Sequence, residues 1–208
     1  MAYLVLVRHG QSEWNVLGQW TGLTDVQLTG EGREEARKAA RTLEDIDIHR
    51  AYTSQLTRAK HTLDEIVGHL GKDDLHRTEH EELNERDYGE LTGKNKWQVK
   101  EEHGEEKFNL WRRSWDHPVP GGETLKDVSQ RVLPFYEKHI LEDLKSGKNV
   151  IVAAHGNSLR ALIKYLDDVA DDQAHAVEIM TGEVLVYEID DSGKLLKKEI
   201  RVTNDKKV

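Results

Sequence analysis

Two histidines carry the first chemical signal in this chain. His9 stands in Arg8-His9-Gly10, directly after the apolar run 3–7, and His155 stands in His155-Gly156-Asn157-Ser158, directly after the apolar run 149–154. A cation, an imidazole and a glycine at the carboxyl end of a buried strand occupy the edge where open α/β sheets hold their ligands. Parallel neighbours end at the same edge, so the two imidazoles can meet there. One such histidine alone would read as a strand-end residue bonded to backbone; two in matched positions read as a site. Three chemistries compete for it. A metal centre is the first, because histidine is the commonest ligand, but no acidic residue flanks either histidine at ligand spacing and Arg8 adjoins His9. Ser-His-Asp hydrolysis is the second, but the chain has no Gly-x-Ser-x-Gly elbow. The third is attack by a neutral imidazole nitrogen on phosphorus, which forms a phosphohistidine. Phosphoryl transfer asks a protein mainly for in-line positioning and neutralised oxygens. Arg8, Arg58, His155 and the free N–H groups of a helix starting after His155 would provide that neutralisation.

The elements that must position these groups follow from pattern. The run 3–7 is short, apolar and rich in β-branched residues, as expected of a strand buried on both faces of a parallel sheet, and 149–154 is a second such strand. Thr29-Gly30-Glu31-Gly32 leads into a helix with Ala36, Ala39, Ala40 and Leu43 on one face. A short strand at 50–52 precedes a helix that Ser54 is expected to cap. Its stripe is Leu56, Ala59, Leu63, Ile66, Val67 and Leu70, and Gly71 ends it. A further strand is expected at 75–78, a loop over 79–93, and one or two short helices over 95–115. Thr124 caps a long helix reaching about Ser146, with a kink expected at Pro134 and a stop at Gly147. Leu159, Leu162, Ile163 and Leu166 give the helix after His155 its apolar side. Strands at 183–189 and 195–202 flank a turn at 190–193, and 204–208 is a polar, frayed tail. Alternating strands and helices without a linker predict one α/β domain over 1–208, a three-layer α/β/α arrangement around a mainly parallel central sheet.

Composition narrows the partners. The chain has 208 residues, 37% hydrophobic and 33% charged, with a formal net charge of −9. That acidity argues against nucleic acid and anionic membrane surfaces as partners. An anionic small molecule then needs a local cluster of cations. The chain has no cysteine, hence no disulfide, thiol nucleophile or cysteine-based zinc site. No run has the apolar length of a membrane span and no secretory signal pattern opens the chain, so the expected location is cytoplasmic.

The stretch Leu6-Val7-Arg8-His9-Gly10-Gln11-Ser12-Glu13-Trp14-Asn15 resembles the signature of the histidine phosphatase superfamily, most closely that of its cofactor-dependent phosphoglycerate mutases. Further segments resemble the same family in family order. They are Thr21-Gly22, Leu28-Thr29-x-x-Gly32, Thr53-Ser54-x-x-x-x-Arg58-Ala59, Leu83-Asn84-Glu85-Arg86, the segment from Tyr88-Gly89 to Asn95-Lys96, Trp111-Arg112-Arg113-Ser114, and Ala154-His155-Gly156-Asn157-Ser158-Leu159-Arg160. Arg-His-Gly alone is a weak motif; the ordered set is specific.

The resemblance implies roles. His9 would accept the phosphoryl group, Arg8, Arg58 and His155 would hold it, and Asn15, Gly156 and Asn157 would assist. Glu85 would be the general acid and base, chosen over Glu81, Glu82 and Glu90 by its Leu-Asn-Glu-Arg context. Thr21, Gly22 and Tyr88 fall in segments that border the substrate, and Met180-Thr181-Gly182 lies near it. Lys96, Arg112 and Arg113 would grip the second anionic end of a phosphoglycerate, which a simple phosphatase does not need. The implied activity interconverts 3-phosphoglycerate and 2-phosphoglycerate, with 2,3-bisphosphoglycerate as the phosphoryl primer and no metal. The implied assembly is a monomer or homo-oligomer, with a dimer favoured. Trp97, Trp111 and Trp115 read as packing residues. The segment 116–123 is shorter than in many of the mutases, and its Pro-Gly-Gly-Glu-Thr form also resembles the phosphatase branch. A broad phosphatase of small monoesters is therefore the nearest rival, and a non-catalytic binder of phosphorylated ligands a more distant one.

Overall fold

Alternate residues of the first strand, β1 (Ala2–Arg8), face opposite sides of a six-stranded sheet. The computed structural model describes residues 1–201; the last residue of the expected final strand, Val202, and the tail 204–208 lie outside the described residues. Along the chain, β1 is followed by α1 (Glu13–Val16), α2 (Gly30–Arg41), β2 (Arg50–Thr53), α3 (Thr57–His69) and β3 (Arg77–Glu79). Then come α4 (Lys96–His103), α5 (Glu105–Arg113), α6 (Leu125–Phe135), α7 (Leu141–Lys145), β4 (Val150–Ala154), α8 (Gly156–Leu166), β5 (Val184–Ile189) and β6 (Leu195–Arg201). The sheet order is β3-β2-β4-β1-β5-β6. The first four run parallel, and β5 and β6 are antiparallel additions at one side.

Leu4, Leu6, Val152 and Ala154 pack on one face against Val128 and Val132 of α6 and Leu159 and Leu162 of α8. Val5, Val7, Ile151 and Ala153 pack on the other against Ala36, Ala39 and Ala40 of α2 and Leu63 and Ile66 of α3. A strand buried on both faces thus glues two helical layers, the expected three-layer arrangement. β1 and β4 are in register, with Arg8 opposite Ala154, and the His9 amide bonds the Ala154 carbonyl at 2.9 Å. That register places the next residues of both strands, His9 and His155, side by side.

The expected helices form, with two differences of detail. Ser54 is not the cap of α3. Leu56 takes that position, and the Asp25 carboxylate accepts from the Thr57 amide at 2.8 Å and the Thr57 hydroxyl at 2.7 Å, outcompeting Ser54 for the helix end. The long helix expected from Thr124 continues through Pro134, and a π-helical segment, Tyr136–Ile140, then joins α6 to α7. Thr124 caps α6 in a reciprocal box with Asp127. The loop 79–93 contains two single 3-10 turns, Glu81–Leu83 and Gly89–Leu91. A separate cluster of Trp20, Leu91, Val99, Phe108, Trp111 and Val119 seats α4 and α5 beside the strand ends. Trp97, expected to pack, is 65% exposed. No helix among the described residues is long and apolar enough to cross a membrane.

Gly10 and Gly32 explain how α2 reaches the site. A Cβ on Gly10 would lie 2.1 Å from the Gly32 carbonyl oxygen, and one on Gly32 would lie 2.1 Å from the Gln11 carbonyl oxygen. Only bare backbone permits this approach. Gly10→Ala and Gly32→Ala are each expected to lower stability by about 1–3 kcal/mol or more, the usual cost of overpacking. Gly30→Ala, where a Cβ meets nothing within 4 Å, is the control and should be close to neutral in urea unfolding.

Candidate active site

His9 is 3% exposed. Its Nδ1 lies 2.7 Å from its neighbour's carbonyl, that of Gly10. A carbonyl only accepts, so this contact assigns the proton to Nδ1 and leaves Nε2 with a free lone pair. The Gly10 amide donates to the Thr62 hydroxyl, which donates to the Arg58 carbonyl in α3. The strand end and the helix carrying Arg58 are thereby tied together. His155 is fully buried, its ring centroid 5.0 Å from that of His9. Its Nε2 is 2.7 Å from the Ser54 hydroxyl, which also accepts from the Leu56 amide. Ser54, read from sequence as a helix cap, instead orients the second histidine.

The arginines are held by backbone carbonyls. Arg58, 1% exposed, donates to the carbonyls of Gly22 at 2.8 Å and Thr24 at 2.9 Å. Arg8 donates to the Ile179 carbonyl at 2.8 Å. Each keeps a buried Nε without a partner among the described residues, and one nitrogen of His155 is likewise free. Three unpartnered polar groups around one histidine suit an incoming anion with several oxygens.

Glu85 Oε1 accepts from the Arg86 amide at 2.8 Å and from the Asn157 amide and side-chain Nδ2, both at 3.0 Å. Its Oε2 lies 3.6 Å from where a Gly156 side chain would begin, and Arg8 Nε lies at the same distance, so Gly156 sits directly between Glu85 and Arg8 at ordinary contact distance. Burial pushes the Glu85 carboxyl up, but the Arg86 and Asn157 hydrogen bonds and the nearby Arg58 and Arg8 more than offset it, and the group sits below the ordinary carboxylate range. Burial first, then Arg58 and Arg8, hold His9 well below free imidazole. Burial, Arg58 and His9 do the same to His155. Burial lowers Arg58 to about 10 against the pull of Glu85 and Asp25, so it stays charged at neutral pH. Burial, Arg112 and Arg8 bring Lys96 down to about 8.

A cavity lined by Arg8, Glu85, Tyr88, Arg112, Arg113 and Gly156, together with Asn157, opens beside these groups. Lys96 does not line it; its ammonium lies over the Trp20 ring and feels Arg112, Arg8 and Glu85. Thr21 and Gly22 are buried, and the Gly22 carbonyl serves Arg58. Asn157 turns mainly toward protein groups, holding Glu85 and the Tyr88 hydroxyl. Asn15 Oδ1 accepts from the Ser12 amide and hydroxyl within the short helix α1.

Several supporting roles escaped the sequence reading. Arg160 donates to Asn157 Oδ1 and to the carbonyls of Val177, Ala174 and Arg113, which locks the cavity wall. Arg131 donates to the carbonyls of Glu82 and Glu85 and to both oxygens of Glu123, and Glu123 accepts from the Asp87 amide. The short 116–123 segment therefore clamps the loop that carries Glu85. Arginines are common in this chain, and only their tertiary partners single these two out. Among the described residues, no group of three or more His, Cys, Asp or Glu could hold a metal ion.

The two depressed histidines link stability to pH. Below about 6.5 the unfolded chain binds protons that buried His9 and His155 refuse, so stability should fall with falling pH by up to about 1.4 kcal/mol per pH unit for each. Urea unfolding between pH 7 and 5 should show that slope, and His9→Gln should remove roughly one proton's share of it. An unchanged slope in His9→Gln would mean that His9 protonates normally in the folded protein.

Comparisons with known proteins bear on the family and the fold. The family model described as Histidine phosphatase superfamily (branch 1) matches residues 4–200. A protein of Parvibaculum lavamentivorans named 2,3-bisphosphoglycerate-dependent phosphoglycerate mutase is 48% identical over 204 residues, covering 97% of each chain. One of Lactobacillus johnsonii, named 2,3-bisphosphoglycerate-dependent phosphoglycerate mutase 1, is 43% identical, covering 96% of this chain and 98% of its own. Among solved structures, Bacillus stearothermophilus YhfR superposes with a TM-score of 0.81 at 27% identity, over 94% of this chain and 95% of its own. A mycobacterial glucosyl-3-phosphoglycerate phosphatase reaches 0.83 at 23% identity, over 96% and 98%, and shares the fold. From motif order, sheet topology and these matches, the chain belongs to the histidine phosphatase superfamily.

Proposed function

We propose that this protein is a 2,3-bisphosphoglycerate-dependent phosphoglycerate mutase, an isomerase that interconverts 3-phosphoglycerate and 2-phosphoglycerate through a phosphorylated His9. The observation that carries this reading is that the cavity lined by Arg8 and Glu85 also takes in two further cations, Arg112 and Arg113, with Lys96 near enough to feel Arg112 and Arg8. A monoester needs only the cradle; a phosphoglycerate has a second anionic end to grip.

The residues divide the work as follows. His9 Nε2 attacks phosphorus, forming the N–P bond as the ester P–O bond breaks. Arg8, Arg58 and His155 take up the charge on the equatorial oxygens, with the Gly156 amide at the start of α8 beside them. Glu85 gives a proton to a departing oxygen and removes one from an attacking hydroxyl. Hydrogen bonds from Arg86 and Asn157, together with the charges of Arg58 and Arg8, keep Glu85 ionised. A phosphorylated His9 neutralises those cations and raises the affinity of Glu85 for a proton, so the carboxylate can act as base and then carry the proton. Lys96, Arg112 and Arg113 would hold the distal end while the intermediate reorients, and Tyr88 and Asn157 would border it. Gly22 supports Arg58 through its carbonyl rather than the ligand on this reading, Thr21 is the buried residue before it, and Asn15 adds a polar side chain after the His9 loop. Unpartnered nitrogens on Arg8, Arg58 and His155 fit an anionic primer. No step calls for a metal.

A phosphatase on the same fold is the alternative that the short 116–123 segment favours. The Parvibaculum relative weighs against it, because 204 aligned residues over 97% of both chains leave no room for a long insertion there. With 3-phosphoglycerate and a trace of 2,3-bisphosphoglycerate, the expected product is mostly 2-phosphoglycerate; mostly free phosphate would establish the phosphatase instead. Glu85→Gln should lower kcat by about 10²- to 10⁴-fold. A chelator should leave turnover unchanged, and loss restored by added metal would overturn the metal-free reaction.

A further inference from the structure

One carboxylate faces the cationic end of the cavity and has no part in the chemistry above. Glu178 lies in the segment leading from α8 to β5 and lines the cavity beside Ile179. Its Oε1 is 2.7 Å from Arg113 Nη2. Arg112 and Lys96 have no carboxylate within salt-bridge distance among the described residues, so Arg113 alone of the three gripping cations is paired. The same field reaches further. Burial raises the Glu178 carboxyl, but the Arg113 bond and the charges of Arg113, Arg112 and Arg8 bring it below the ordinary range, and Arg112 in turn feels Glu178. The carboxylate thus reads the net charge of the whole far end of the cavity. The main chain is anchored on both sides of it. The Ile179 carbonyl accepts from Arg8, and the Val177 carbonyl accepts from Arg160. The side chain is itself half-exposed.

We propose that Glu178 is a specificity-determining residue that sets how strongly the site discriminates among ligands by charge. Its carboxylate subtracts one negative-charge equivalent of attraction from the distal subsite. It also competes with the ligand for the Arg113 fork. The effect grows with the charge a ligand places at that end, so it weakens binding of a bisphosphate more than that of a monophosphate or inorganic phosphate. This deepens the mutase reading and rests on it for its consequence: a bisphosphate that must turn over in the site cannot be gripped too firmly at one end. When ligand leaves, Glu178 closes on Arg113 again, so the guanidinium never stands unpaired at the cavity wall.

The test is a binding measurement that does not depend on turnover. In a His9→Gln background, where no phosphoryl transfer occurs, calorimetry compares 2,3-bisphosphoglycerate, 3-phosphoglycerate and inorganic phosphate with and without Glu178→Gln. Removing one like charge some 5–10 Å from the ligand predicts a gain on the order of 3- to 10-fold for the bisphosphate, a smaller one for 3-phosphoglycerate, and little for phosphate. The gain should shrink in high salt and when Arg113→Gln is added. An equal gain for all three ligands, no gain, or weaker bisphosphate binding would overturn the proposal; weaker binding would mean that Glu178 serves only to hold Arg113 in place. Isomer formation by the protein with His9 intact is scored separately. If that fails while the charge-graded gain is seen, the mutase reading falls and the role of Glu178 in selecting ligands stands.

Discussion

The arrangement depends on keeping two guanidinium groups charged in a nearly dry place. Arg58 is 1% exposed and feels the charge of the half-buried Arg8 at the sheet edge, and Glu85 is the one buried carboxylate among the described residues. Isolated buried charges are costly, and this fold meets the cost with main-chain oxygens. Gly22 and Thr24 accept from Arg58, and Ile179 accepts from Arg8. Those carbonyls belong to a loop after α1 and to the segment before β5, so distant parts of the chain must close around the strand ends for the arginines to be tolerated. Burial, reinforced by that positive field, keeps His9 and His155 neutral. A neutral imidazole with Nδ1 committed to the Gly10 carbonyl is what a nitrogen nucleophile requires, and a site with cations to spare is one that an anion completes.

Around that cluster the structure is built for placement. The β1–β4 register decides that the two histidines meet. The Gly10–Gly32 contact brings α2 against the first loop. The short 116–123 segment has a task of its own. Gly89 and Gly122 let it approach so closely that a Cβ at either would strike backbone. Glu123 with Arg131 then fixes the loop bearing Glu85. A segment that looked in sequence like a missing insertion is, in three dimensions, a clamp on the carboxylate. Positioning of this kind matters because small displacements of a reacting group are expensive in rate.

Much of this was legible in the chain, and the rest was not for physical reasons. Strands 3–7 and 149–154 announced themselves because a β-branched apolar run has few other fates. His9 and His155 followed from their place at the ends of those strands, and the alanines of α2 gave its buried face. Ser54 misled because a hydroxyl before a helix is equally suited to cap it or to serve a partner, and only the approach of His155 and Asp25 decides. Trp97 misled because aromatic residues usually pack, whereas this one stands on the outer face of α4. Arg131 and Glu178, and the role of the Arg160 that stands in the His155 segment, were invisible because a surface charge and a buried clamp have the same letter; most of their carbonyl and carboxylate partners lie elsewhere in sequence. Lys96, Arg112 and Arg113 were read through family resemblance; Arg112 and Arg113 line the cavity, whereas Lys96 sits outside its lining over the Trp20 ring.

The central claim is that His9, held neutral with Nε2 free, carries the phosphoryl group. The most direct measurement is to mix the protein briefly with 2,3-bisphosphoglycerate, quench in base and map the modification by mass spectrometry. The account predicts one phosphoryl group, on His9 alone, formed at least as fast as the isomerase turns over and discharged by 3-phosphoglycerate. Turnover without that adduct, or an adduct formed on another residue at the catalytic rate, would contradict it.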